Sequence, residues 1–512
     1  MAAENGALPR GKVGGIGDVI RDLPVALAER GWAPTVMTPA YGMFNDIPGA
    51  ERTARIDVPF AGARHTVDVY RIPGPDERVE HIALEHVLFS PQGRGIIYCD
   101  DGASNPFATD ATKFALFCAA AAAYVNEGLL RPQIIHLHDW HCALFLALRA
   151  FDPGLAALKS IRTVFTIHNL ALQGIRPLRG QESSLESWFP GLSYKTRSLI
   201  DPRHDDCVNP MAVALRLADK LSTVSPTYAT EILQPNDPES GFFGGEGLEK
   251  ELQAAARQSR LTGILNGCTY PDISIRRPAW KTLRDAMLTT LRRWMSTETF
   301  VHSAHYFALT QLASQIKKKP PTLLLSIGRT TPQKVGLFLE RTQSGFSTLE
   351  VILKSLDRDD LFVMLGSGDP ELEQQLTRLG TEHWNFLFLK GYTPDLPDLL
   401  YPAGDLFLMP STFEPCGVSQ MLAMRAGAPC VVHGVGGLKD TVEHLRNGFV
   451  FGGSSPREQA DNFAAMVADA LAMKTGSETR WQAISKAAAA ARFSWSDAAA
   501  AYERDLYASA DP

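Results

Sequence analysis

The sequence predicts an α/β protein built on two doubly wound, parallel sheets, and three observations carry that reading. Apolar runs of four to six residues recur along the chain, near-continuous rather than alternating, as in strands buried on both faces. Helical patterns lie between many of them, the β–α alternation that builds parallel sheets. Gly-rich and charged motifs stand where the runs end, which is where open parallel sheets place their chemistry.

In the first half the predicted strands are 34–38, 134–137, 163–167, 221–224 and 263–265. In the second half they are 322–327, 361–365, 386–389, 406–409, 430–432 and 449–451. A less regular stretch, 268–321, separates the halves and ends in Lys317-Lys318-Lys319-Pro320-Pro321, a polar stop before the next buried strand. The expected domains are therefore residues 1–267 and 268–492, with a closing segment at 493–512. The Ala-rich tracts 487–491 and 498–501 read as helix in this last region.

A chain of 512 residues can bury large cores without staples. Lys+Arg 50 against Asp+Glu 56 gives a net charge of −6, which excludes a nucleic-acid binder with a basic surface but leaves room for a local cationic pocket. Seven cysteines form no CxxC pair and read as reduced thiols. The longest apolar run, 114–125, is too short for a bilayer, and the first residues lack the pattern of a signal peptide. A cytoplasmic enzyme with no membrane partner is the expectation.

Lys12-Val13-Gly14-Gly15-Ile16-Gly17-Asp18-Val19 is a Gly-rich loop opening a helical pattern. Such a loop lets a backbone approach a ligand and offers helix N–H groups to an anion; the plain alternative is a turn. Arg329 and Lys334 follow a buried strand, either as a pair for a doubly charged diphosphate or as solvated loop cations. Glu414-Pro415-Cys416-Gly417-Val418-Ser419 ends another strand loop and starts a helical pattern. Its amides suit a phosphate, with Glu414 facing the attached sugar, or it is an acidic N-cap region with no ligand.

His168-Asn169 after strand 163–167 is either a satisfied core histidine or part of a sugar-binding loop. His136-Leu137-His138-Asp139-Trp140-His141 has the composition of a metal site. Trp140 stands where the metallo-hydrolase pattern HxHxDH needs its Asp, and no second His/Asp cluster completes a site, so no metal is expected. Ser225 reads as the N-cap of a helix carrying Tyr228 and Glu231.

Together, and in this order, these motifs resemble bacterial glycogen synthases and plant starch synthases. The likeness runs from Lys12 to Tyr507 and is strongest in KVGGIGDV, HLHDWH, FTIHNLALQG, TVSPTYATEI, GRTTPQK, LGSGDPELE and STFEPCGVSQMLAMRAGAPCVV with GVGGLKDTV. It implies the GT-B architecture: two Rossmann-like domains facing a central cleft, with a C-terminal helix crossing back to the N-terminal domain. It implies a retaining, metal-free transfer of glucose from ADP-glucose to the non-reducing end of an α-1,4-glucan, glycogen or a maltooligosaccharide.

By that resemblance Lys12, Gly15, Asp18 and Asn169 belong to the donor site and His168 hydrogen-bonds the transferred glucose. Arg329 and Lys334 neutralise the diphosphate. Glu414 orients the sugar or stabilises positive charge at its anomeric carbon. Cys416, Gly417, Val418 and Ser419 present amides to phosphate, and Tyr392 stacks on adenine. The sequence departs from the family at its start, where 1–11 contain no strand-like apolar run before the Lys12 loop. Either the start is truncated or the first sheet lacks a strand. Asn266-Gly267-Cys268-Thr269-Tyr270, Leu172 and Ala212 also differ from the family pattern. The alternatives are a GT-B transferase for another nucleotide-sugar or acceptor, and a non-catalytic glucan-binding relative.

Overall fold

A computed structural model of the chain describes residues 1–103, 105–270 and 275–508. These fall into two compact units. The first comprises Met1–Asn236, Gly244–Gly267 and the segment from Trp495; the second comprises Asp237–Phe243 and Cys268–Ser494.

The first unit contains two four-stranded sheets. One takes β1 (Thr35–Pro39), β2 (Glu51–Phe60), β3 (Ala63–Ile72) and β4 (Glu80–Glu85) in the order β1-β4-β3-β2. Here β1 and β4 run parallel, while β4, β3 and β2 are antiparallel, which departs from the parallel sheet predicted. The reason lies in the pattern. Ile56, Val58 and Phe60, and Val67 and Val69, are buried at alternate positions, with the exposed Asp57 and Pro59 and the half-buried Asp68 between them. A search for continuous apolar runs passes over such one-sided strands.

The second sheet is parallel throughout. It takes β5 (Ile134–His138) and β6 (Arg162–Ile167); a short ladder of β7 (Arg176–Pro177) and β8 (Cys207–Val208) intervenes in the chain; then come β9 (Lys220–Thr223) and β10 (Leu261–Gly263). Its order is β10-β9-β6-β5. β10 ends where the strand predicted at 263–265 begins, because only three residues pair with β9 before Ile264 turns into the core.

No strand forms over 1–11. Met1 and Ala2 instead stand between the two sheets. The Met1 ammonium donates to the His136 carbonyl at 2.7 Å, and the His138 N–H donates to the Met1 carbonyl at 3.1 Å. The Ala2 N–H donates to Met37 at 3.1 Å. Beside them lies a cavity of about 510 Å³, lined by Leu23, Val36, Val125 and Ile134 among others.

Helix α1 (Gly15–Glu29) buries Val19, Leu23 and Leu27 on one stripe. Helix α2 (Ala108–Asn126) is buried almost all round, so the longest apolar run of the sequence is a core helix. The closing helix Trp495–Tyr502 packs Ala498, Ala499 and Tyr502 against Val19, Leu23 and Leu27, and Arg30 pairs with Glu503 at 2.5 Å.

The second unit is built on β11 (Leu323–Ile327), β12 (Leu361–Gly366), β13 (Phe386–Lys390), β14 (Leu406–Met409), β15 (Cys430–His433) and β16 (Gly448–Phe451). All pairs are parallel, in the order β13-β12-β11-β14-β15-β16. Leu325, Val363 and Leu387 face one apolar layer, while Leu324, Phe362 and Phe386 face the other. That two-sided burial is why these strands read as unbroken apolar runs. The seven cysteines are free. Among the described residues no single helix is long and apolar enough to cross a membrane.

Candidate active-site groups in each unit

β11 and β14 are neighbours where the strand order of the six-stranded sheet reverses, so the loops leaving their carboxyl ends lie side by side. The first loop carries Arg329 and enters the helix Pro332–Leu339, with Lys334 in its first turn. The second carries Glu414 and enters the helix Ser419–Arg425. The Thr412 N–H donates to Gln333 O at 2.9 Å and stitches the loops together.

The Lys334 ammonium donates to the Glu414 carboxylate. Glu414 is only 7% exposed at its side chain, and a carboxylate with so little water needs a cation beside it. Arg329 is exposed, and its guanidinium has no protein partner among the described residues. One cation here is thus engaged and the other is open to an anion.

Cys416 is buried, and Gly417, Val418 and Ser419 are half-buried. The Gln420 amide donates to the carbonyls of Cys416 at 3.2 Å and Gly417 at 2.9 Å, which holds this loop in shape. Val418, at the N-cap, supplies no side-chain acceptor to the first-turn amides. Tyr392 follows β13, two strands from β11, and is 72% exposed. Its loop needs Gly391, whose φ of 146° is left-handed and whose Cβ, if present, would meet the Trp294 ring at 2.8 Å.

In the first unit the Gly-rich loop differs from its sequence reading. The Val13, Gly14 and Gly17 N–H groups all donate to Glu4 Oε2, at 2.7, 2.7 and 3.2 Å. These amides, predicted to be open to an anionic ligand, already have an internal carboxylate. A Cβ on Gly17 would lie 2.9 Å from that oxygen, so the close approach requires glycine. Tyr98 donates to the other Glu4 oxygen at 2.9 Å. The exposed Lys12 pairs with Asp18 at 2.7 Å, and Gly15 is exposed at the start of α1.

His168 and Asn169 sit at the carboxyl end of β6, both half-buried. Asp139, in the loop after the neighbouring strand β5, accepts from the His168 N–H at 2.7 Å and from the Asn169 N–H. It does so from φ 57°, ψ 178°, a conformation disfavoured for any residue with a side chain. Burial pushes its carboxyl up to about 7, and pushes the imidazoles of His168 and His141 down to about 3. Tyr228, below, accepts from the Leu170 N–H at 3.2 Å, and Ser225 caps its helix at the Tyr228 N–H, 3.2 Å away.

The histidines of HLHDWH do not converge on a point. His136 is held between the Tyr507 hydroxyl at 2.7 Å and Thr166 Oγ1 at 2.6 Å, and His138 Nδ1 meets His168 Nε2 at 2.9 Å. Among the described residues no group of three or more His, Cys, Asp or Glu is placed to hold a metal ion.

The comparisons agree with this organisation. The starch synthase catalytic domain profile matches residues 1–254, and that of glycosyl transferases group 1 matches residues 321–469. The glycogen synthase of Anaeromyxobacter dehalogenans (strain 2CP-C) is 34% identical over 505 residues, 97% of this chain and 96% of that protein. The chain belongs to the glycogen and starch synthase family. It is a glucosyltransferase on that ground. The glycogen synthase of Streptococcus gordonii (strain Challis) is 33% identical over 528 residues, 99% of each chain.

Among solved structures, the catalytic domain of starch synthase IV from Arabidopsis thaliana, bound to ADP and acarbose, superposes with a TM-score of 0.73. It is 25% identical and covers 97% of this chain and 96% of that one. Sucrose-phosphate synthase from Thermosynechococcus elongatus, at 17% identity and a TM-score of 0.53, shares the fold. The side chains whose contacts sequence reading did not foresee are Glu4, His138 and Asp139. The signal was present for the last two in HLHDWH, but composition pointed to metal; for Glu4 no local pattern exists, since its partners lie 9–13 positions on.

Proposed function

We propose that this chain transfers glucose from ADP-glucose to the non-reducing end of an α-1,4-glucan, with retention at the anomeric carbon and release of ADP. The observation that carries the reading is the pairing of Lys334 with Glu414 in the loops at the switch point of a parallel sheet, with the guanidinium of Arg329 unpartnered among the described residues.

Departure of ADP builds negative charge on a phosphate oxygen, and fixed cations lower that barrier without rearranging. Arg329 and Lys334 supply the charge, and the amides at Cys416 to Ser419 supply neutral donors to the same diphosphate. Glu414, held by Lys334, stabilises positive charge as it develops on the sugar. Tyr392 offers its exposed ring to the adenine. His168, uncharged at neutral pH, donates to or accepts from a glucose hydroxyl, with Asn169 beside it; Lys12, Gly15 and Asp18 complete the donor contacts. Relatives named glycogen synthase, and a starch synthase neighbour solved with ADP and acarbose, support this choice of donor and acceptor.

The test is ADP release from ADP-glucose with glycogen or a maltooligosaccharide, run beside UDP-glucose and GDP-glucose. Glycogen-dependent ADP release that exceeds turnover of the other donors supports the proposal. A folded protein that releases no ADP, or prefers another donor, overturns it.

A further inference from the structure

The histidines of HLHDWH do not converge on a point, yet the second of them makes a directed contact. His138 is 4% exposed, and its Nδ1 lies 2.9 Å from His168 Nε2. Its ring stacks on His136 at 4.2 Å between centroids and 27° between planes. His136 is fixed in turn at both nitrogens, by Tyr507 and by Thr166, whose Oγ1 also meets Ser222 Oγ at 2.6 Å. The His138 backbone is anchored too, through its N–H to Met1.

We propose that His138 is a positioning residue for His168: its imidazole fixes the rotation and the tautomer of the histidine that meets the transferred sugar. The proposal rests on that reading of His168. The physical argument is one of proton count. Two neutral imidazoles in contact share one hydrogen between Nδ1 of one and Nε2 of the other. Whichever ring donates, the tautomer of His168 is set, and with it the character of its other nitrogen, Nδ1, toward a sugar hydroxyl. Burial keeps both rings neutral, which excludes a repulsive imidazolium pair. The stack on His136 prevents His138 from swinging away, so orientation passes from the closing segment at Tyr507 to the sugar-facing ring. A rotamer misplacement of this kind costs rate while leaving the remaining contacts intact.

The experiment uses the full chain and a double-mutant cycle. His138→Ala is expected to lower kcat about 10- to 100-fold with little change in the KM for glycogen. His138→Asn, whose amide nitrogen can take the place of Nδ1, is expected to recover part of the loss. His168→Ala is expected to be at least as slow, and adding His138→Ala to it should cost nothing more. In 15N-histidine spectra the wild type should show one His168 tautomer and His138→Ala a mixture. A His138→Ala enzyme with wild-type kcat, a further loss in the double variant, or an unchanged His168 tautomer overturns the proposal. If His168→Ala alone keeps wild-type kcat, the sugar-facing reading of His168 falls, and the nitrogen spectra still decide whether His138 sets its tautomer. Should His138→Ala fail to fold, His138→Asn set against His138→Gln, whose nitrogen reaches one bond too far, makes the same comparison.

Discussion

Lys334 and Glu414 form an ion pair across two loops that leave adjacent strands, β11 and β14, so that neither charge is left alone in a site with little water. Breaking such a pair from one side leaves the other charge uncompensated. Lys334→Ala should therefore lose about 2–4 kcal/mol of stability along with at least about 100-fold in kcat. Glu414→Gln leaves Lys334, whose side chain is 23% exposed, with water and a neutral amide oxygen, so it should lose less stability than Lys334→Ala and still lose rate. Thermal melts beside steady-state ADP release separate the two effects; a Lys334→Ala protein with unchanged melting would show that the pair does not matter to the fold.

Arg329 provides the contrast. Because it is exposed and its guanidinium bonds to nothing in the described protein, Arg329→Ala should change stability by no more than about 0.5 kcal/mol. The same change should lower kcat/KM for the nucleotide-sugar about 10- to 1000-fold, with Arg329→Lys intermediate, since a lysine keeps the charge but loses the fork. Equal losses in all donors, including a sugar monophosphate, would count against a diphosphate contact.

Glu4 acts from within the fold. Its carboxylate accepts from three backbone N–H groups of the Gly-rich loop, and hydrogen bonds to a charged acceptor contribute about 1.5–3 kcal/mol each, though not additively. Glu4→Ala should lower the melting temperature and raise the KM for the donor by loosening Lys12 and Gly15. Glu4→Gln should do less. Hydrogen exchange at Val13, Gly14 and Gly17 measures the loosening directly, and unchanged exchange in Glu4→Ala would refute it.

The buried ionisable groups give a defined pH response. His168 and His141 are pushed down to about 3, and His81 and His433 to about 4, against an unfolded value of 6.5. Below pH 6.5 the unfolded chain binds protons that the native state refuses, so stability present at neutral pH is lost as pH falls toward 4. Asp139 acts in the opposite sense. Raised to about 7 from 3.8, it contributes stability that is complete below pH 3.8 and is lost as pH rises through 7, on the order of 4 kcal/mol at 1.36 kcal/mol per unit. The four histidines outweigh Asp139 together with Glu85, whose carboxyl burial raises to about 6, and the melting temperature should drop between pH 6.5 and 4. The imidazole resonances of His168 and His141 should not titrate between pH 5 and 8; a midpoint near 6.5 for either would contradict their burial.

Much of the second unit is legible in the sequence because its strands are covered on both faces. Leu323 to Ile327 and Phe386 to Lys390 read as apolar runs for the same reason that they pack two cores. The loops after them follow from the strand ends, so Arg329, Lys334 and Glu414 could be named before any coordinates. The hairpin of β2 and β3 was hidden by its wet face, where Arg55 and Asp68 pair at 2.8 Å instead of signalling a strand. Long-range hydrogen bonds were hidden more completely. That His138 touches His168, or that Glu4 props the loop at Gly14, depends on how strands β5 and β6 and the first residues are stacked. No spacing along the chain encodes either contact.

The placement of Met1 and Ala2 between two sheets has a kinetic consequence. Strand alternation aims the N–H groups of Thr35 and Met37 on β1, and of Ile134 and His136 on β5, toward the space that these two residues only partly fill. Amides at the heart of a domain ordinarily trade their hydrogens for deuterium last, after those of the rim. In the first unit that order should invert. The middle of the domain becomes a fast-exchanging seam, and the flanking ladders, β3 with β4 and β6 with β9, carry the slowest protons.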